Sequence, residues 1–517
     1  MARYKDTEKN QGRFIPVIFE EQILPGTIEY AICDIIEHHI DLSVFEARYK
    51  NDKTGAPAVP PAVLLKLILV CYSKGIFTSR DMEHAAKTNI TLMAVAEGLT
   101  PDHSTIAAFV ASLKDEINGI FMQVLIRCAQ LDLIGGEVFA LDGCKLASNA
   151  SKEFSGTFKE LRNKKAKLAA MLEHLMYKHR EEDKKSPDDE KREKKYREKI
   201  DKIDDFLNTH EPRTGSGQRG REVKSNITDN ESAKMKSSGG MIQGYNGLAV
   251  VDDKKQIVVA AEAFGQGQEH NLLEPLVEQT EDNLKAAGKR ETMDGATVIA
   301  DTNYFSEDNN RYCHDKKIDA YIPDQHFRNR DPRFGEERQR HMRPRKNLFK
   351  QGDFTYDESN NRYFCPAGKC LRAHGKMSVH GYQGRRYWAQ EKECEACLIR
   401  HRCLKKGARM RKLFVIDVPK PKTYSERMME KIDTPHGRDV YSRRMGIVEP
   451  VFANIKVHKG LSRFTLRTKQ KVNVQWLLFC MVHNIGKIAK CFFVFIFSMR
   501  FRAENLETWR NALYQIS

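Results

Sequence analysis

Two short apolar segments of β type, far apart in the chain, each lead directly into an aspartate. The first is GEVFALDG at residues 136–143 and contains Asp142; the second is ATVIAD at residues 296–301 and ends in Asp301. Further β-type runs alternate with helical patterns around them. These are the hairpin GYNGLAVVDDKKQIVVAAEAF, the helix EHNLLEPLVEQTEDNLKAAG, a helix from Ser306 and the strand DAYIP. Such alternation predicts an α/β domain.

Asp142 and Asp301 suit metal chemistry because a rigid sheet can hold a carboxylate in the open crevice beyond the strand. Magnesium prefers oxygen ligands. Phosphodiester cleavage by two metals needs a few carboxylates converging on cations about 4 Å apart. The alternative for each aspartate is structural, since an acid at a strand end also caps the following turn.

A third acid, Glu449, lies in GIVEPVFANIKVHKGL beside an apolar stripe of helical spacing. The stripe consists of Val448, Val451, Phe452 and Ile455. Because Glu449 is adjacent to this stripe, it can point toward the sheet, and Lys456, two turns further on, can then hold a DNA phosphate. The alternative is an ordinary amphipathic helix with a glutamate and a lysine on its surface.

The composition favours a polyanionic partner. Of the 517 residues 30% are charged, and Lys and Arg exceed Asp and Glu by 16. Nucleic acid is the partner that this balance indicates, although a merely basic soluble protein has it too. The N-terminus lacks the layout of a signal peptide, and the longest apolar run, Cys491–Phe497, is short for a membrane span, so we expect a cytoplasmic protein without membrane contact.

The length predicts more than one structural unit. Residues 1–135 are expected to form an all-α N-terminal domain that binds DNA or serves as a helical scaffold, with Ser79 and either Ser104 or Thr105 as helix caps. Residues 136–324 are expected to form the first part of the α/β domain, interrupted at 158–210 by an inserted helical hairpin. Residues 411–517 are expected to form its second part and a helical C-terminus. There KLFVIDV resumes as a strand, and helices follow at Tyr424–Lys431 and, after breaks at Pro435 and Gly437, at Arg438–His458.

Between these parts lies a cysteine-rich insertion, residues 325–410, which is polar and rich in arginine. It contains Cys365, Cys370, Cys394, Cys397 and Cys403. The C-x2-C pair and two further thiolates can hold a structural zinc ion, and the best set is Cys365, Cys394, Cys397 and Cys403. The alternative is a group of reduced thiols without metal.

The combination of LDG, ADTNYFSE and VEPVFANIK resembles DDE transposases of bacterial insertion sequences. The resemblance extends to PPAVLLKLILVCYSKGIFTSRDMEHA and PDHSTIAAF near the N-terminus and to HKGLSRFTLR near the C-terminus. It implies a ribonuclease-H-like catalytic domain in which Asp142, Asp301 and Glu449 bind Mg2+ or Mn2+. It also implies contacts to DNA phosphates from Tyr441, Arg444 and Lys456. Arg444 lies one residue further from Glu449 than in the usual signature of the group. Some of the resembling transposases carry a similar cysteine-bearing insertion.

The activity that this resemblance implies is cleavage of double-stranded DNA at the ends of an insertion sequence, followed by strand transfer into target DNA. It implies a homodimer or higher oligomer, acting on the bacterial nucleoid. Two alternatives remain: a non-catalytic DNA-binding protein derived from a transposase, and a metal-dependent nuclease that cuts without joining strands.

Overall fold

The structure is a computed structural model that describes residues 16–49, 57–181, 187–215, 220–237, 239–331, 333, 348–379, 382–416 and 421–514. Side chains are described for these residues except 179–181 and 492–514. The chain divides into two compact units. The first combines Met1–Ile322 with Pro435–Ser517, and the second is Pro323–Thr434.

The first unit begins with helices, as its apolar spacing predicts. The helices among the described residues before the first strand are α1 (Ile28–His38), α2 (Pro61–Ser73), α3 (Ser79–Thr88), α4 (Ile90–Val95), α5 (His103–Ser112) and α6 (Ile117–Gln130). Every residue of α2 from Val63 to Tyr72 is buried. A helix that is buried all round lies at the centre of a core, so this region is a helical unit built around α2.

The caps of two of these helices differ from the predicted ones. The Thr78 hydroxyl caps α3 by accepting a hydrogen bond from the amide of Asp81, whereas Ser79 was predicted. The Asp102 carboxylate caps α5 by accepting one from the amide of Thr105, whereas Ser104 or Thr105 was predicted. In both cases a preceding residue with a side-chain oxygen takes the role, because the cap must stand just outside the first turn.

Two long helices form an antiparallel hairpin after β1 (Val138–Ala147) and β2 (Ser155–Gly156). They are α7 (Phe158–Glu181) and α8 (Pro187–Thr209), as the leucine and isoleucine spacing predicts. A small apolar cluster that includes Phe158 and Phe206 closes the base of the hairpin. The exposed faces along the helices are rich in lysine, as expected for a hairpin that extends into solvent.

A mixed sheet of six described strands lies at the centre of the first unit. After β3 (Ser225–Asn226), which pairs with β2, the chain forms β4 (Ala233–Ser237), β5 (Gly240–Asp252), β6 (Val258–Phe264), α9 (Leu273–Ala286), β7 (Thr297–Ile299), α10 (Glu307–Asp315) and β8 (Asp319–Tyr321). The strand order is β4-β5-β1-β7-β8, and β6 also pairs with β5. Strands β1, β7 and β8 are parallel, whereas β5 is antiparallel to β1 and β6. The predicted α/β class with a helical N-terminal region is therefore confirmed.

The second unit is built on its own antiparallel sheet. Its elements are α11 (Phe327–Arg330), β9 (Thr355–Asp357), β10 (Arg362–Phe364), β11 (Cys370–Val379), β12 (Tyr382–Ala389), α12 (Glu391–Glu395), α13 (Arg400–Cys403), β13 (Lys412–Ile416) and α14 (Tyr424–Asp433). The strand order is β13-β12-β11-β10-β9. The segment KLFVIDV does form a strand, β13, but it pairs with β12 in this sheet instead of returning to the sheet of the first unit. The short apolar pattern specifies a strand and not its partner.

The last part of the chain returns to the first unit as helices. Helix α15 (Pro435–Ala453) continues into a π-helical turn, Asn454–His458, and α16 (Lys469–Tyr514) follows. The predicted break at Pro435 is confirmed, because one helix ends at Asp433, Thr434 is extended and α15 begins at Pro435. The predicted break at Gly437 is wrong, because Gly437 is buried within α15. Proline is tolerated in the first turn of a helix, where its missing N–H has no intrahelical partner. A search of the described residues for a helix long and apolar enough to span a membrane finds none.

Helix α16 packs against the sheet through Trp476, which is fully buried. Its indole Nε1 donates a hydrogen bond to the carbonyl oxygen of Leu248 at 2.9 Å. A Cβ atom added at Gly247 would lie 3.0 Å from the indole ring. Glycine at this position of β5 therefore lets the tryptophan lie directly on the sheet.

Candidate active site

The parallel pairing of β1 with β7 brings the two predicted aspartates together at the point where β7 ends. The prediction that Asp142 also ends its strand is wrong, because β1 extends from Val138 to Ala147 and Asp142 pairs with Ala249 of β5. Ala140 of β1 is in register with Ile299 of β7, so two residues further along the strands Asp142 lies opposite Asp301. Each carboxylate accepts a hydrogen bond through Oδ1 from the next backbone amide, at 2.8 Å from Gly143 and 2.7 Å from Thr302. These bonds fix both side chains and leave each Oδ2 available to a further partner.

Arg444 of α15 provides that partner for Asp142. Its Nη1 donates a hydrogen bond to Asp142 Oδ2 at 2.7 Å, and both side chains are largely buried, with 13% and 21% exposure. Burial raises the pKa of Asp142, the positive charge of Arg444 opposes this rise, and the charge of Asp301 adds to it. The two aspartates are therefore close enough for their charges to repel each other.

Tyr441 and Lys456 lie in the same neighbourhood. Tyr441 precedes Arg444 by three residues on α15, so the two side chains lie on one side of the helix. The charges of Asp142 and Asp301 raise the pKa of Arg444. Burial raises the pKa of the Cys144 thiol to about 12, while the positive charge of Lys456 opposes this rise. Because Cys144 follows Asp142 by two residues on β1, Lys456 lies close to the same strand.

Glu449 lies on the same helix as Arg444, five residues further along the chain. Its side chain is exposed on α15, beside the buried residues Val448 and Val451. Within the described part of the chain, no group of three or more His, Cys, Asp or Glu residues is arranged to hold a metal ion. The structure thus brings Asp142, Asp301 and Arg444 together and leaves Glu449 on the adjacent exposed face of the helix.

The sequence analysis missed a buried polar network beside Asp301. Glu269 is 5% exposed and accepts a hydrogen bond from the side-chain amide of Asn246 at 2.8 Å. The Asn303 amide donates to Glu269 at 3.2 Å and lies 3.4 Å from Asp301 Oδ2. The ammonium group of Lys145 lies 3.4 Å from the same glutamate. Asn303 therefore connects the carboxylates of Glu269 and Asp301. The only sequence signal for Asn303 was its position two residues after Asp301.

Tyr304 is a second residue that the sequence analysis missed. Its side chain is fully buried, and its hydroxyl has no hydrogen-bond partner among the residues that the structure describes. Burial raises the pKa of Tyr304, and the charges of Glu269, Asp142 and Asp301 add to this rise. An unpaired buried hydroxyl is unfavourable unless it serves a ligand or an ordered water, so Tyr304 is a further candidate contact in this site.

In the second unit, four of the five clustered cysteines line one small cavity: Cys365, Cys394, Cys397 and Cys403. Burial raises the pKa of Cys403, and the other three thiols add to this rise. Cys370 begins β11 and is not among the described lining residues. All twelve cysteines lie in the described ranges and are free thiols. The same search for metal-holding groups finds none among these described cysteines.

Two family models of transposases match the chain. The Transposase DDE domain matches residues 364–489, a range that includes Glu449 and Lys456, and the Transposase domain (DUF772) matches residues 18–112 in the helical N-terminal region. A search of curated proteins finds no match. These matches indicate a function in transposition and confirm the resemblance to DDE transposases seen in the motifs.

Proposed function

We propose that this protein cleaves DNA at the ends of an insertion sequence and transfers the freed strands into target DNA. In this proposal the catalytic core is ribonuclease-H-like, and Asp142, Asp301 and Glu449 hold divalent cations. The observation that carries the proposal is the register of β1 and β7, which sets Asp142 beside Asp301 at one edge of the sheet. Parallel strand ends are common sites for ligands in α/β sheets.

The donor set fits Mg2+ or Mn2+. Both aspartates offer hard carboxylate oxygens, each held by a backbone amide. Arg444 occupies Asp142 Oδ2 with a positive charge, so a cation bound at this oxygen would take the place of the guanidinium. Glu449 completes the set from the neighbouring exposed face of α15. The bound cations would supply activation of water and stabilisation of the leaving oxygen in phosphodiester cleavage.

The residues of α15 and its π-helical turn would act on the DNA backbone. Lys456 is exposed and close to β1, which suits contact with a phosphate next to the scissile bond. Arg444 and Tyr441 would contact phosphates from the same helix. When cations neutralise Asp142, the guanidinium of Arg444 can exchange its carboxylate partner for a phosphate, because both are bidentate acceptors that Arg recognises.

The four cysteines of the second unit would hold a structural zinc ion. Cys365, Cys394, Cys397 and Cys403 line one cavity, and soft thiolates are the ligands that zinc prefers in closed structural sites. Such a site would stabilise the second unit, whose apolar core is small, and would take no part in catalysis.

In this proposal the protein acts as an oligomer that brings two DNA ends together. It is cytoplasmic and associates with the nucleoid, because its substrate is chromosomal DNA. The helical region before β1 is proposed to bind DNA, and the catalytic domain is proposed to lie on both sides of the cysteine-bearing insertion.

An assay with labelled element ends and a plasmid target tests the proposal. We expect Mg2+-dependent cleavage and joined products. Asp142→Ala, Asp301→Ala and Glu449→Ala should each abolish both reactions and largely spare DNA binding, while the exposed Asp294→Ala serves as the control. Cleavage without joined products would indicate a nuclease, and DNA binding without cleavage would indicate a non-catalytic derivative.

A further inference from the structure

A basic cavity lies in the first unit, on a side of α15 that the proposed chemistry does not use. It has a volume of about 690 Å³. It is bounded by the π-helical turn after α15, by α16, by the turn after β5 and by the residues before α1. The polar side chains that define it are Gln256, His458, Lys459, His483, Lys487 and Lys490. Pro450, Asn454 and His458 line it at intervals of four residues and so form one side of the helical segment, apart from Glu449 and Lys456.

Lys459 is the most informative of these residues. It is 6% exposed, and no hydrogen bond or ion pair joins its side chain to another residue in the described ranges. Burial and the charge of Lys490 lower the pKa of Lys459 to about 8. The Lys459 side chain therefore lines the cavity beside other cations and without a described acidic partner, an arrangement that favours binding of an anion.

The other cations of the cavity reinforce this arrangement. Burial and the charges of Lys490 and Lys255 lower the pKa of Lys487, whose ammonium group donates to Gln256 Oε1 at 2.8 Å. Burial lowers the pKa of His483 to about 3, and its Nε2 donates to the backbone carbonyl of Gln256 at 2.9 Å. A neutral histidine thus forms the floor, and lysines of like charge converge above it.

Nearby acids do not balance these charges. None of the described residues that line the cavity is an aspartate or glutamate. Glu29, next to the lining residue Ile28, is paired with Lys74 at 2.5 Å. Asp253, in the turn that precedes Gln256, is paired with Arg443 at 2.7 Å. Both carboxylates are therefore already neutralised by other partners.

We propose that this cavity binds a phosphate group, with Lys459 and Lys490 as its principal contacts and Lys487 in support. Phosphate is the anion class that clustered lysines recognise as point charges. The source is either a phosphodiester of DNA or free inorganic phosphate. Only the first source rests on the proposed function, because it requires that the protein binds DNA.

The test uses the full chain in EDTA, so that catalysis plays no part. Lys459→Met and Lys490→Gln are compared with Lys285→Gln, a control on α9 whose side chain is 63% exposed and whose replacement changes the net charge equally. Thermal unfolding is measured with and without inorganic phosphate. Binding of a random-sequence duplex is measured by fluorescence anisotropy over a range of salt concentrations.

We expect phosphate to raise the melting temperature of the wild type and of Lys285→Gln, but not that of Lys459→Met. Without phosphate, Lys459→Met should melt at a higher temperature than the wild type, because it removes a positive charge that Lys490 repels. A gain in stability together with a loss of phosphate binding would separate ligand recognition from misfolding. For DNA, each of the two cavity variants should reduce the slope of log K against log salt concentration by about 0.9, the value for one phosphate contact.

Each outcome is decisive. Loss of the phosphate effect with an unchanged salt dependence supports the cavity and assigns it to free phosphate. Loss of both assigns it to DNA. If the wild type binds no duplex, the proposed function fails while the phosphate measurement still tests the cavity. The proposal is overturned if phosphate does not stabilise the wild type and both cavity variants keep the salt dependence of the control.

Discussion

The guanidinium group of Arg444 lies 2.7 Å from the carboxylate of Asp142, although 302 residues separate them in the chain. The contact joins helix α15 to the central strand β1 and opposes the rise that burial causes in the pKa of Asp142. It also fixes the sheet edge at which Asp142 and Asp301 meet. The first prediction tests this pair directly.

Arg444→Met should destabilise the protein in EDTA by about 3 kcal/mol, because it leaves a largely buried carboxylate without its partner. Saturating Mg2+ at a hundred times its dissociation constant should restore about 2.7 kcal/mol if it occupies the same carboxylates. Urea unfolding with and without Mg2+ measures both values. The matched control is the adjacent Arg443→Met, whose ion pair with Asp253 is half exposed and should be worth less than about 1 kcal/mol. Equal losses for the two variants would show that the Arg444 pair is an ordinary surface contact.

Glu269→Ala should weaken Mn2+ binding by about 10- to 100-fold, the usual effect of losing a residue that orients a metal ligand. The physical reason is that Asn303, which contacts Asp301, loses the acceptor that holds its amide. Mn2+ titration followed by electron paramagnetic resonance measures the affinity. Glu274→Ala, an exposed position on α9, is the control. Unchanged Mn2+ affinity in a folded Glu269→Ala protein would limit Glu269 to a packing role.

We predict that protonation of His483 lowers the free energy of unfolding in acid. Burial depresses its pKa in the folded state to about 3, from 6.5. A histidine with a depressed folded pKa contributes stability that is complete above pH 6.5 and is lost as the pH falls toward 3. At pH 4.5 the loss should be roughly 2 to 3 kcal/mol relative to pH 7. Urea unfolding of His483→Gln at both values should lack this component, whereas the exposed His38→Gln should retain it. If His483→Gln loses as much stability as the wild type, the ring is not buried in its neutral form.

The cysteine cluster predicts one zinc ion for each chain. Cys394→Ser and Cys397→Ser should lose zinc, measured by atomic absorption, and should make the second unit more sensitive to protease, because a closed site contributes folding energy. Cys370→Ser, outside the cavity, is the control and should keep its zinc. Mg2+-dependent cleavage should persist after zinc chelation. Unchanged protease sensitivity after chelation would count against a structural zinc ion.

Much of the local structure could be predicted from the sequence. Strands β1 and β7 follow from apolar runs that lead into Asp142 and Asp301. Helix α10 was predicted to start at Ser306; it begins at Glu307, and Ser306 caps it by accepting a hydrogen bond from the amide of Asn309. These features depend on a few neighbouring residues. Hydrophobic periodicity and capping residues are signals in neighbouring residues, so they predict local structure of this kind.

Strand pairing and side-chain contacts between residues that are distant in the sequence could not be predicted in the same way. Nothing in the sequence of β1 indicates that its parallel neighbour is β7, and the apolar residues of β13 suit either sheet equally. The network around Glu269 depends on side chains from separate elements, whose meeting has no local signal. Glu449 was placed correctly beside an apolar stripe, yet the spacing could not set its distance from the two aspartates.

The central claim, that Asp142 and Asp301 hold a divalent cation together, is tested most directly by iron-mediated cleavage of the protein itself. Fe2+ replaces Mg2+, and ascorbate with peroxide then cuts the backbone next to the bound ion. We predict cuts near residues 142 and 301 at once, suppressed by excess Mg2+ and lost at both places in either Asp142→Asn or Asp301→Asn. A further cut near residue 449 would add Glu449 to the set. Cuts at other places, or cuts at one aspartate that persist when the other is replaced, would contradict the account.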